Sequence, residues 1–194
     1  MHEYINDNYL LMNKLNSSFY LQPTLKIAQE LLGKFLIHNI GKKRIVGRII
    51  ETEAYVGLKD KASHASRGRT PRTEIMFGPA GQAYVYLIYG MYYCFNVVTG
   101  RKDYPAAVLI RAIQPITVGE DIYPRLQTPT NGPGKVCRYL KIDKKLNGID
   151  LTGNVLWMED RGIAVKKSQI GRAKRIGVDY SGEYKNKLWR FYTK

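Results

Sequence analysis

The chain is predicted to fold as one α+β domain spanning residues 1–194, a curved antiparallel β-sheet with flanking short helices. Three observations predict this. Segments with strand character outnumber those with helical spacing. The strand-like runs pair off around short glycine-containing turns, as antiparallel neighbours do. No repeat, low-complexity tract or charge block divides the 194 residues, a length that fills one core well.

Taken in order, Leu25, Ala28, Leu31 and Leu32 keep helical spacing, with Pro23-Thr24 in front and Gly33 behind, which predicts a short helix over 24–32. Lys34 to Ile40 and Arg44 to Tyr55 flank Gly41-Lys42-Lys43 and read as a hairpin. Residues 56–83 carry glycines, prolines and five basic residues between Lys59 and Arg72. A loop of that length inside a compact domain is usually functional. Tyr84 to Tyr89 and Tyr92 to Val98 are strand-like runs around a predicted tip at Tyr89-Gly90-Met91. Ala106 to Ile113 has the composition of a buried strand interrupted by Arg111, and Gly132-Pro133-Gly134 opens a helix running to about Ile142.

The strand at 44–55 is apolar at one end and acidic at the other. With side chains alternating at period two, one face is expected to read Ile45, Gly47, Ile49, Glu51, Glu53, Tyr55, so that the two glutamates continue a line that begins as core. Inward carboxylates are costly unless they are paired or their chemistry is used. Glu53 and Glu51 therefore read either as a general base with a supporting acid, or as a salt bridge to Arg48 or Arg111.

Charge and cysteines narrow the class. The chain has 31 Lys and Arg against 16 Asp and Glu, a formal net charge of +15, with 44% hydrophobic and 24% charged residues. A globular protein this basic favours a polyanionic partner, nucleic acid first and an acidic membrane surface second. The segment from Arg161 to Lys194 alone holds ten basic residues against Asp179 and Glu183, a net +8. Cys94 and Cys137 sit in apolar stretches and read as reduced, partly buried thiols. Met1 to Asn8 lacks the pattern of a secretory leader, and Tyr84 to Val98, with five tyrosines in fifteen residues, is too short and polar to span a bilayer. The expected setting is cytoplasmic.

Several chemistries find no motif. His2, His38, His64 and the two cysteines lack zinc-ligand spacing, and neither a P-loop, a dinucleotide fingerprint nor a nucleophile elbow occurs, so no metal and no cofactor are expected. The positive signals are polar or aromatic. Tyr84, Tyr86, Tyr89, Tyr92 and Tyr93 fall within ten residues and serve either as packing or as a stacking platform worth ~1–3 kcal/mol per base. A tyrosine at the tip, beside Met91, has the position of a wedge into a base stack. His64 lies in a basic loop, and Asn96 and Arg111 are polar residues in apolar strands that need partners or a ligand.

Together these segments closely resemble the alkyladenine (3-methyladenine) DNA glycosylase family. The match comprises Glu51-Thr-Glu53-Ala-Tyr55, His64, Thr70-Pro-Arg72, Tyr84-Val-Tyr86-Leu-Ile-Tyr89-Gly-Met-Tyr92, Cys94-Phe-Asn96, Leu109-Ile-Arg111-Ala, Gly132-Pro-Gly-Lys135-Val-Cys-Arg-Tyr-Leu and Leu188-Trp-Arg-Phe-Tyr192, in order, over about 25–192. The resemblance implies a metal-free, monomeric enzyme that excises alkylated purines from duplex DNA and is associated with the nucleoid when bound to it. Glu53 matches the catalytic glutamate that activates water, and Arg111 a strand arginine near that water and the target's backbone. Tyr55, His64, Tyr86, Asn96 and Ile176 match the pocket of the flipped base. Tyr89 matches the inserted side chain, and with Met91, Arg69, Thr70, Arg72 and Lys135 it makes up the expected DNA-contacting set. Glu51 is expected to support the site without acting as an acid. Two rival classes compete: a basic, tyrosine-rich nucleic-acid-binding module, which leaves an inward Glu53 unexplained, and a tRNA-directed acyl- or formyltransferase, for which no cofactor-binding half is present.

Overall fold

The computed structural model describes residues 13–116 and 129–194; Met1 to Asn8, read above for a leader, lie outside them. Among the described residues nine strands form an antiparallel sheet: β1 (Asn13–Lys14), β2 (Phe35–Ile40), β3 (Lys43–Val56), β4 (Ala83–Ile88), β5 (Tyr92–Val98), β6 (Ala106–Ile116), β7 (Leu156–Asp160), β8 (Ile170–Ala173) and β9 (Arg190–Thr193). The order is β1-β7-β2-β3-β6-β5-β4, with β9 pairing β3 and β8 pairing β9. Three short helices accompany the sheet: α1 (Ser17–Tyr20), α2 (Thr24–Glu30) and α3 (Pro133–Leu140). The expected α+β class holds, with β6 extending to Ile116 and α3 ending at Leu140. Among the described residues no helix is long and apolar enough to cross a membrane.

The local reasons are visible in the chain. Pro23 caps α2, and Pro133 stands at the start of α3 behind Gly132, whose φ of +115° suits glycine. Gly41 turns the β2–β3 hairpin, in which Ile40 pairs with Lys43. The main core joins Ile27 and Ala28 of α2, Leu31 just after it, and Val136, Cys137 and Leu140 of α3 to one sheet face. Two 3-10 turns, His64–Arg67 and Glu74–Phe77, organise the basic loop and place Ala65, Met76 and Phe77 against Tyr84, Val98 and Ala107.

One sequence expectation is overturned here. Strand β3 does not keep a single alternation. Ile45, Gly47 and Ile49 lie toward the main core, but beyond Ile49 it is Thr52, Ala54 and Val56 that do so, with Ile49 and Ala54 fully buried in it. The pairing with β6 is irregular between Ile49 and Thr52, and β6 shifts in step, with Ile113, Ile110 and Val108 inward. A one-residue slip exchanges the two faces of a strand. Glu51, Glu53 and Tyr55 therefore leave the core line and emerge on the opposite face. The change coincides with a change of neighbour, since β2 pairs with β3 through Arg48 and β9 takes over at Glu51.

Candidate active site

On that opposite face, alternate residues of four strands line a cleft of about 460 Å³: Tyr55 of β3, Ala107, Leu109 and Arg111 of β6, Tyr92, Cys94 and Asn96 of β5, and Tyr84, Tyr86 and Ile88 of β4. Its volume lies in the ordinary range for small-ligand sites, about 300–1,000 Å³. His64 from the basic loop, the N-terminal turn of α3 with Lys135, and Ile176 to Val178 complete the wall. The expected base-pocket residues Tyr55, His64, Tyr86, Asn96 and Ile176 thus surround one space.

The aromatic part is tightly organised. His64 lies edge-on to Tyr86 with ring centroids 4.6 Å apart, Tyr84 and Tyr86 are 5.1 Å apart, and His64 Nδ1 and the Tyr84 hydroxyl are 3.0 Å apart. Burial, reinforced by the nearby Arg72 and Arg67 charges, pushes the His64 imidazole down to about 4, so it is neutral at physiological pH. It offers a hydrogen bond and a ring, not a positive charge. Asn96 Nδ2 donates to the Tyr84 carbonyl at 3.1 Å, which fixes the amide against the cleft. Burial also raises the Tyr86 and Tyr55 hydroxyls well above the usual phenol range, leaving both neutral.

Glu53 is not itself a wall of this cleft. It is 0% exposed and lies directly behind three residues that are: Oε1 accepts the Ile176 N–H at 3.0 Å, Oε2 accepts the Tyr55 O–H at 2.9 Å, and Arg111 Nη1 stands 3.5 Å from Oε1. Of the two arginines weighed from sequence, Arg111 is its ion-pair neighbour. Burial raises the Glu53 carboxyl above the ordinary range, opposed by Arg111, the Ile176 and Tyr55 hydrogen bonds and Arg175. A carboxylate held this way is a stronger base than one in water, with two donors fixing its direction. Glu51 sits beside it, its Oε1 taking Arg190 Nη1 at 2.7 Å and Arg111 Nε at 3.5 Å. Arg111 therefore bridges the two glutamates.

The residues expected to meet DNA are placed unequally. Tyr89, at the β4–β5 tip, is 81% exposed and reaches the cleft wall, and Met91 is 66% exposed beside it. Tyr89 has φ +52° ahead of Gly90 at +69°, a conformation a bulky residue rarely adopts. Arg72 lies over the ring of the cleft residue Tyr86 at 5.0 Å. Arg69 instead pairs with Glu74 at 2.8 Å and with Asp103, and stacks over Phe77. Thr70 exchanges hydrogen bonds with Thr73 and caps the loop. Among the described residues no cluster of ligating side chains is present that could hold a metal ion.

Sequence reasoning missed the buried pair Asp60–Arg175, and Arg190 as the partner of Glu51. Arg175 was one of ten cations in a basic tail and gave no separate signal. Asp60 did give one, as the lone acid between Lys59 and Lys61 in a basic loop.

With the geometry established, comparison with known proteins is specific. The family model described as Methylpurine-DNA glycosylase (MPG) matches residues 18–194. A protein of Methanocella arvoryzae is 50% identical, covering 94% of this chain and 94% of its own. One of Legionella pneumophila is 48% identical with 94% and 96% covered, and one of Desulfitobacterium hafniense 46% identical with 93% and 95% covered. All three carry the name "Putative 3-methyladenine DNA glycosylase". The chain belongs to the methylpurine-DNA glycosylase family and is a DNA N-glycosylase.

Proposed function

We propose that this protein excises alkylated purines of the 3-methyladenine type from duplex DNA, by rotating the nucleotide into the aromatic cleft and attacking C1′ with a water activated by Glu53. The observation that carries the reading is the Glu53 carboxylate, wholly buried yet aimed by two hydrogen bonds just behind the wall of a cleft built from Tyr55, His64 and Tyr86. A glycosidic bond inside a stacked duplex is out of reach, and extrusion costs a few kcal/mol, least for damaged or badly paired bases. Tyr89 at its exposed tip fills the vacated stack. A purine nucleotide alkylated on a ring nitrogen, as in 3-methyladenine, is cationic and electron-poor, so it is held by neutral tyrosine faces and by a neutral His64 that does not repel it.

The chemical step follows from these groups. The water oxygen forms a bond to C1′ and its proton passes to Glu53. The bond from C1′ to the purine nitrogen breaks with its electron pair leaving on the base, which departs neutral without needing a proton. One positioned base contributes ~10²–10⁴-fold. Ordinary glycosidases need a second carboxyl to protonate the leaving oxygen; here Glu51 is committed to Arg190 and Arg111 and serves as their counter-charge. The attacking water is assigned to the Arg111 side of Glu53, where the neighbouring group stands 3.5 Å from Oε1, farther than the two hydrogen-bond donors. The protein works as a monomer without cofactor.

The test is release of free purine from alkylated duplex DNA. Glu53→Gln is expected to abolish release while binding DNA nearly as well as the parent protein. An active Glu53→Gln protein refutes the catalytic assignment.

A further inference from the structure

We propose that the buried Asp60–Arg175 pair is the device that aims Glu53: Arg175 holds both hydrogen-bond donors that Glu53 receives, and Asp60 holds Arg175. The inference builds on Glu53 as the base and adds two positioning residues to it, neither of which lines the cleft.

Both donors depend on Arg175 by geometry. The first is the Ile176 N–H, which belongs to the peptide that begins at Arg175, so fixing Arg175 fixes that donor. The second is the Tyr55 O–H, whose ring centroid lies 4.8 Å from the Arg175 guanidinium. Arg175 Nη1 also donates to the carbonyl of Ala54, the residue between Glu53 and Tyr55, at 2.8 Å. The guanidinium is in turn over-determined. It meets Asp60 through Nη1 at 2.6 Å and Nη2 at 2.8 Å, approaches the Tyr184 carbonyl, and has Trp189 at 5.0 Å as a second stacking ring. Asp60 accepts the Val56 and Ala62 N–H groups as well.

Stability alone is a poor reason for this arrangement. Both side chains are 0% exposed, and Arg175 Nε has no partner among the described residues. Desolvating an ion pair costs about as much as the pairing returns, and apolar residues of similar volume often serve the fold as well or better. What apolar packing cannot supply is orientation, whereas a bidentate guanidinium fixes a plane and a direction. That plane here sets the phenol and the peptide that converge on one carboxylate.

The experiment uses the full chain with Arg175→Lys and Asp60→Asn, alongside Glu53→Gln. Base release from alkylated duplex is followed under single-turnover conditions from pH 5 to 9, where amplitude counts folded enzyme and the rate constant reports the folded site. The ionisable groups facing Glu53 are Tyr55 on its own strand, Arg111 from β6, Cys94 from β5 and Arg175. Lysine keeps the positive charge of the last, so a change in pH profile reports the donors. The rate constant is expected to fall on the order of 10²-fold, the loss that a misplacement of ~1 Å brings. The acidic limb should move to higher pH, because a carboxylate deprived of donors holds its proton more tightly, while lesion-DNA affinity stays within about three-fold.

Loss of amplitude with an unchanged rate constant and limb in the variants that fold overturns the inference. Failure of both variants to fold also overturns it, since the pair is then a folding element. If Glu53→Gln is active the general-base reading falls, whereas an inactive Glu53→Gln beside normal clamp variants removes the clamp alone.

Discussion

If Glu53 is the base proposed above, function and stability oppose each other at its position. Burial is the largest influence on its carboxyl and raises it above the 4.5 of a free side chain, although Arg111 and two hydrogen bonds pull the other way. An acid whose folded value is raised favours the folded state below the unfolded value and loses that contribution as pH rises through the folded one. Once ionised, Glu53 therefore weakens the fold. Glutamine fills the same volume, accepts from Ile176 and donates to the Tyr55 oxygen. Glu53→Gln is expected to raise the melting midpoint at pH 7–8, by about 2–4 °C for each kcal/mol released, and to lose that advantage near pH 4. Melting curves across pH check this, and a variant less stable than its parent at pH 8 contradicts it. The identity of Glu53 was legible in the sequence as an acid among apolar strand residues, but its surroundings were not. Arg111 and the Arg175–Ile176 peptide reach it, and Arg190 reaches its neighbour Glu51, from segments far away in the chain, and a cation that meets a carboxylate only in the folded state looks like any other cation beforehand.

At the level of elements, the hairpins and the helices α2 and α3 could be read because proline, glycine and alternation are local signals. The face change in β3 could not, because it arises where the strand trades β2 for β9, a tertiary event with no local marker. That change carries Glu51, Glu53 and Tyr55 to the cleft side without burying them in the main core. The β4–β5 hairpin makes the complementary case. Its tip is a three-residue loop with Ile88 paired to Tyr92, and it holds Tyr89 at positive φ. The left-handed conformation costs a side-chain-bearing residue ~1–2 kcal/mol that glycine does not incur. Strain at an exposed aromatic is explained if the ring is used there. Tyr89→Gly should leave the melting midpoint unchanged or slightly higher and the affinity for undamaged duplex nearly intact, while lesion-specific capture falls. Parallel melts and binding titrations separate these quantities. An equal loss of lesion and undamaged binding contradicts the wedge.

For the molecule as a whole, net charge and site chemistry operate at different ranges. The formal +15 attracts a polyanion through many weak phosphate contacts, each lowering the slope of log K against log salt by about 0.9. Not every cation is available for this. Arg161, Arg175 and Arg190 of the basic tail are paired internally with Glu159, Asp60 and Glu51. The salt slope should therefore correspond to far fewer phosphates than the net charge suggests. On the proposed reading, discrimination resides instead in the aromatic cleft and the Tyr89 tip, through contacts that are largely uncharged. Exposed charges are screened beyond about 8–10 Å at ordinary salt, while buried ones are screened much less. Raising salt from 50 to 200 mM should thus weaken binding to undamaged and alkylated duplex by the same factor. The ratio of the two affinities and the single-turnover rate at saturating enzyme should stay constant. Titrations at four or five salt concentrations measure the slope and the ratio together. A preference for damaged DNA that shrinks as salt rises would place recognition in the charged surface, and the cleft would then be a reaction chamber that selects nothing.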